Sequence, residues 1–98
     1  MIDEAELIDN EFLRQFELNY EGQLAIIEYA LQERKIFLTK LAIPESIKTE
    51  KFQNDFIVLV LKNIEERGLS VMPTSPEVVK FIRKNRQYKN MLPVGVRI

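Results

Sequence analysis

The chain has no cysteine and no histidine among its 98 residues. Without cysteine there are no disulfides, no thiolate nucleophile and no cysteine-bound zinc. Without histidine the commonest general base and metal ligand is missing, so a Ser-His-Asp triad cannot form within one chain. Zinc catalysis is disfavoured for the same reason, and no metal is expected. No apolar run approaches the roughly 18 residues that span a bilayer, so no membrane partner is expected. The N-terminus carries Asp3, Glu4, Glu6, Asp9 and Glu11, the reverse of a secretory or transit signal, which points to the cytoplasm. Any catalysis must rest on carboxylates, tyrosine, lysine, backbone groups or the positioning of substrate.

What is present suits one packed domain, since 46% of the residues are apolar and the length fits a single core. The net charge of -1 hides an uneven distribution. Acids dominate from Asp3 to Glu33, with Arg14 nearly alone against them. After Glu77 the sign reverses: Lys80, Arg83, Lys84, Arg86, Lys89 and Arg97 face no acid. Such a basic end can meet the phosphates of a cofactor or of RNA. The plainer account of any one of these residues is a solvated helix face. The stretch lacks interleaved aromatics and a helix-turn-helix turn, so nucleic acid is not the expected partner.

Residues 1–10 read as a loose lead-in and 11–98 as one domain. Phe16-Glu17-Leu18-Asn19-Tyr20 alternates at period two, Glu21-Gly22 reverses the chain, and Gln23 to Leu31 forms a more apolar strand. After the polar turn Gln32 to Lys35, a third strand runs from Ile36 to Ile43. Three strands with short turns make an antiparallel meander. Pro44 stops the third strand, because proline has no donor for the ladder. Phe52, Phe56, Leu59, Val60 and Ile64 then fall at helical spacing, with Thr49 or Ser46 as cap and Gly68 beyond the end. Leu69 to Met72 predicts a short strand parallel to the third. Ser75-Pro76-Glu77 opens a second helix, with Ser75 at the N-cap and Pro76 in the first turn. That helix frays around 85–90. The apolar tail from Met91 to Ile98 is either a last strand or a segment seeking a protein partner or a second copy of the chain. Tyr20 and Tyr29 can line a substrate cleft, although strand aromatics usually pack across strands.

A strand entering a helix N-terminus exposes N–H groups that suit an anion, and glycines normally let the ligand approach them. Here the connection Pro44 to Gln53 contains no glycine.

The order of three strands, helix, strand and helix resembles the small stand-alone branch of the GNAT acyltransferase superfamily. Four local matches carry the resemblance: Glu28-Tyr29 in the second strand, Ile36 to Ile43 followed by Pro44-Glu45, Val71-Met72-Pro73-Thr74-Ser75, and Asn85 to Tyr88. It implies an α+β, GNAT-like fold with acetyl-CoA in the opening between the third strand and its parallel neighbour. By that resemblance the cofactor meets the backbone of Leu41, Ala42 and Ile43, then Lys48, Thr49, Lys51, Phe52 and Gln53 where the family carries its glycine-rich loop. Ser75 falls where the family can carry a cysteine, Tyr88 where a tyrosine can protonate a leaving thiolate, and Glu28 where a carboxylate can take a proton from an amine. The implied function is acetyl-CoA-dependent N-acyl transfer to a small amine or a protein amine. The alternative is a catalytically inactive GNAT-like module, with a degenerate cofactor loop, that binds a protein partner or another anion.

Overall fold

The computed structural model describes residues 6–98. Five strands form one sheet in the order β1 (Leu7–Asn10), β2 (Gln15–Tyr20), β3 (Gln23–Gln32), β4 (Lys35–Ala42) and β5 (Ser70–Pro73). The first four are antiparallel, and β5 joins β4 in parallel after helix α1 (Glu50–Glu66). Helix α2 (Pro76–Lys84) follows, then a 3-10 helix, Arg86–Met91. The expected α+β order is therefore present, with one further strand at its start.

Period-two alternation gives the sheet one core face. Phe16, Leu18, Ala25, Ile27, Tyr29, Ile36, Leu38 and Val71 are buried there with Phe56, Ile57, Val60, Leu61 and Ile64 of α1 and Val78 and Ile82 of α2. Glu17, Ile26, Glu28, Phe37 and Met72 alternate with them and are half-exposed. Between Tyr20 and Gln23 both turn residues have positive φ, 51° at Glu21 and 75° at Gly22, the geometry of a tight hairpin turn.

The third and fourth strands break register once. Glu28 pairs with Lys40 but Tyr29 pairs with Leu38, leaving Thr39 as an extra residue in β4. The Thr39 hydroxyl donates to the Glu28 carbonyl at 3.2 Å across this bulge. Leu38 stays in the core, Lys40 is exposed, and Leu41 packs back against the core.

Helix α1 begins and ends by local rules. Thr49 is its N-cap and accepts the Phe52 N–H on its hydroxyl oxygen at 3.0 Å. At the other end Gly68 has φ 70°, its N–H reaches the Glu65 carbonyl, and the Leu69 N–H reaches that of Ile64. This paired closure needs the left-handed conformation that glycine adopts freely. Thr49→Ala should cost about 1 kcal/mol of unfolding free energy in a urea titration, since it leaves the Phe52 N–H without its cap. An unchanged midpoint would mean that the cap contributes nothing.

Three expectations need correction. Residues 7–10 are not a loose lead-in: they pair with β2, Leu7 packs on the core, and Asp9 accepts from the Tyr29 hydroxyl at 2.5 Å and from the Arg67 guanidinium. Residues 1–5 of that lead-in lie outside the described residues. Ser75 is the N-cap residue of α2, but its hydroxyl does not cap the helix; it donates to Glu77 Oε1 at 2.8 Å. The tail forms no strand among the described residues. Met91 is buried, the Val96 N–H closes a turn on the Pro93 carbonyl, and Ile98 returns to the core, leaving Val94 exposed.

Candidate functional site

The parallel pairing of β4 and β5 ends at Leu38 and Pro73. The Leu38 carbonyl gathers the Thr74 N–H at 3.0 Å, the Ser75 N–H at 2.9 Å and the Thr74 hydroxyl at 3.1 Å. Beyond this knot the chain turns into α2, while β4 runs on to Ala42 paired only with β3. The two strands thus part, with both helix N-termini following soon after.

A cleft of about 440 Å³ lies between the start of α1 and one face of α2 along its whole length. Glu45, Lys48, Thr49, Glu50, Gln53 and Asn54 form one wall, and Glu77, Lys80, Phe81, Lys84 and Asn85 the other. The α2 residues sit three, four, seven and eight places beyond Glu77, so they share one helix face. Carboxylates and ammonium groups are equal in number here, three of each.

Backbone groups around the first wall are largely engaged within the chain. The Ile47 N–H reaches Pro44 at 3.1 Å, Lys48 reaches Glu45 at 3.3 Å, and Gln53 reaches Thr49 at 3.0 Å. With Phe52 capped by Thr49, four N–H groups of this connection are satisfied before any ligand arrives. An anion at this corner is left the N–H groups of Glu50 and Lys51, the first two of α1, which have no intrahelical acceptor, and the side chains.

The residues singled out from the sequence separate into groups. Lys48, Thr49 and Gln53 line the cleft. Lys51 and Phe52 turn instead to a neighbouring hollow of about 260 Å³ with Tyr20 and Ser46. Phe52 is only 7% exposed, and its ring lies 5.3 Å from that of Tyr20, so it is part of the packing. Leu41, Ala42 and Ile43 are half-buried along and just after the parted end of β4. Ser75 is fully buried and bonded to Glu77, which itself lines the cleft. Tyr88 packs tilted against Phe81, ring centroids 5.5 Å apart, and does not itself line the cleft. Glu28 stands in β3 between Gln15 and Lys40, on the sheet face opposite the core. Reading the sequence missed Glu45, Asn54 and Glu77, whose only signal was their distance from a helix start.

Tyr29, the other candidate tyrosine, belongs to a separate cluster. Its hydroxyl pKa is pushed up to about 12, first by burial, then by its hydrogen bond to Asp9 and that carboxylate's charge, with Arg67 opposing. It holds β1 to the sheet and does not line the cleft. No group of three or more potential metal ligands occurs among the described residues, and no helix among them is long and apolar enough to cross a membrane.

No curated protein is a significant match to the chain. A family model described as GCN5-related N-acetyl-transferase matches residues 15–91, from the first residue of β2 to the last of the 3-10 helix. The match takes in both parted strands and both walls of the cleft. With over three quarters of its length inside that match, the chain belongs to the GCN5-related N-acetyltransferase family.

Proposed function

We propose that the protein is a minimal N-acyltransferase that uses acetyl-CoA and a small amine or a protein amine. The observation that carries this reading is the parting of β4 from β5 at Leu38 beside the cleft between α1 and α2. Leu41, Ala42 and Ile43 offer strand backbone to the pantetheine arm, and Lys48, Thr49 and Gln53 line the end of the cleft where its phosphates would lie. The bound donor supplies a thioester carbonyl open to attack by an amine. The chain's work is to orient that carbonyl and to handle protons. Glu28 is the candidate acceptor of the amine proton, and Tyr88 the candidate donor to the leaving thiolate. Ser75 has no part in this reading, because its hydroxyl is buried and held by Glu77. Lys51 and Phe52 are likewise set aside as cofactor contacts.

The test is calorimetric titration with acetyl-CoA and with desulfo-CoA. Saturable heat with both is the expected outcome, and none at high micromolar ligand would sink the acyltransferase reading. Glu28→Gln and Tyr88→Phe should then lower kcat while leaving the acetyl-CoA Kd unchanged.

One observation favours the second reading, an inactive module for a protein partner or another anion. The Ile47, Lys48, Phe52 and Gln53 N–H groups are already bonded within the chain, so a diphosphate is left only the first two N–H groups of α1. Under that reading acetyl-CoA gives no heat and the fold remains intact.

A further inference from the structure

Resting on the acyltransferase reading, we infer that Lys80 and Lys84 of α2, with Lys48 opposite, hold the donor's phosphates in place of the engaged backbone amides of Ile47, Lys48, Phe52 and Gln53. Three observations converge on these side chains.

The first is the engagement of the loop's own N–H groups. A diphosphate at this corner cannot collect the amides of Ile47, Lys48, Phe52 and Gln53 without breaking bonds to Pro44, Glu45 and Thr49, which leaves it only the N–H groups at Glu50 and Lys51 where α1 begins. The second is placement. The basic end of the sequence contains six lysines and arginines, yet only Lys80 and Lys84 enter the cleft, one helical turn apart on either side of Phe81. Arg83, on the same helix, is exposed and does not line it. The third is availability. The ion pairs made among the described residues join Lys51 to Asp55 and Arg67 to Asp9, and none involves a lysine of the cleft. Glu77, the acid on their own helix, accepts from Ser75 instead. Three ammonium groups thus face a concave space with their charge uncompensated by direct contact.

Ammonium groups act as point charges and do not demand the fixed approach of a backbone cradle. Phosphate recognition of this kind tolerates a loop without glycine, and it weakens with salt because the lysines are solvent-exposed. Glu45 and Glu50 on the other wall direct the phosphates towards α2 by repulsion. Lys80 and Lys84 are therefore affinity-setting residues for the phosphate-bearing part of the donor and leave its thioester end untouched.

The experiment compares acetyl-CoA with acetyl-pantetheine, which lacks phosphate, by calorimetry on the full chain. The wild type should bind acetyl-CoA more tightly, and only that binding should weaken as ionic strength rises. The double variant Lys80→Gln/Lys84→Gln should lose roughly tenfold to hundredfold in acetyl-CoA affinity, the scale of two charge-assisted contacts. Its affinity for acetyl-pantetheine should be unchanged, and Arg83→Gln should leave both affinities unchanged. If the double variant binds acetyl-CoA as the wild type does, or the wild type binds both compounds equally, the assignment is overturned and the acyltransferase reading stands. A wild type that binds neither overturns both.

Discussion

Phe56→Ala should lower the unfolding free energy by about 3–5 kcal/mol, the cost of deleting a fully buried aromatic ring. Phe56 is 0% exposed and sits on the core side of α1, its ring 6.3 Å from that of Phe52. It belongs to one buried cluster with residues of β2, β3, β4, β5 and α2, so its loss is felt in a core shared by the sheet and both helices. A domain of this size holds on the order of 5–15 kcal/mol in all, so one substitution removes a large share. Urea unfolding followed by far-UV circular dichroism reads this as a drop in midpoint with little change in slope. A loss below about 1 kcal/mol would mean that α1 does not bury this face against the sheet.

Asp9→Ala should be the most damaging change outside the core, at about 2–3 kcal/mol, because it strips two donors at once. The Tyr29 hydroxyl loses its acceptor and the Arg67 guanidinium loses its ion pair, in a place where the Asp9 side chain is only 11% exposed. The same substitution has a signature at alkaline pH. Tyr29 ionises near 12 in the folded chain, above the roughly 10 of an unfolded tyrosine. A raised folded pKa means that the folded chain holds this proton longer. The associated stability is whole below about pH 10 and is lost as pH climbs towards 12. Absorbance titration of the phenolate should show one tyrosine ionising near 12 in the wild type, and Asp9→Ala should bring it down. A Tyr29 transition that stays in place in the variant would show that Asp9 has no part in the shift.

That cluster also shows where reading the sequence reaches its limit. The strands β2, β3 and β4 were legible because their apolar residues alternate, and α1 because Phe52, Phe56, Val60 and Ile64 recur at helical spacing between Thr49 and Gly68. These are local signals. Leu7 to Asn10 has only two apolar residues, and beyond its ladder to β2 the ties that fix it are distant: Tyr29 lies 20 positions from Asp9 and Arg67 lies 58. No window of neighbouring residues contains that information. The cleft was half legible. Its basic residues were visible as an uncompensated run after Glu77, but which of them face α1 depends on how α2 rotates against the core through Val78, Phe81 and Ile82. Ser75 looked like a cap from its place before Pro76. Its hydroxyl turned to Glu77 because that carboxylate, two residues on, reaches back to it.

The bulge at Thr39 gives this segment a freedom in length that a regular strand lacks. Leu38 faces the core, Thr39 and Lys40 both face outward, and Leu41 turns back to the core. Deleting Thr39 would bring Lys40 next to Leu38, opposite Glu28 and Tyr29, which are already neighbours, and plain alternation would still put Lys40 in water and Leu41 on the core. Pairing Thr39 as an ordinary strand residue, with no residue lost, would instead turn Lys40 towards the interior and Leu41 towards water. A one-residue gap here is therefore tolerable where a straightened strand is not, and what the shorter chain would lose is the local bend in β4.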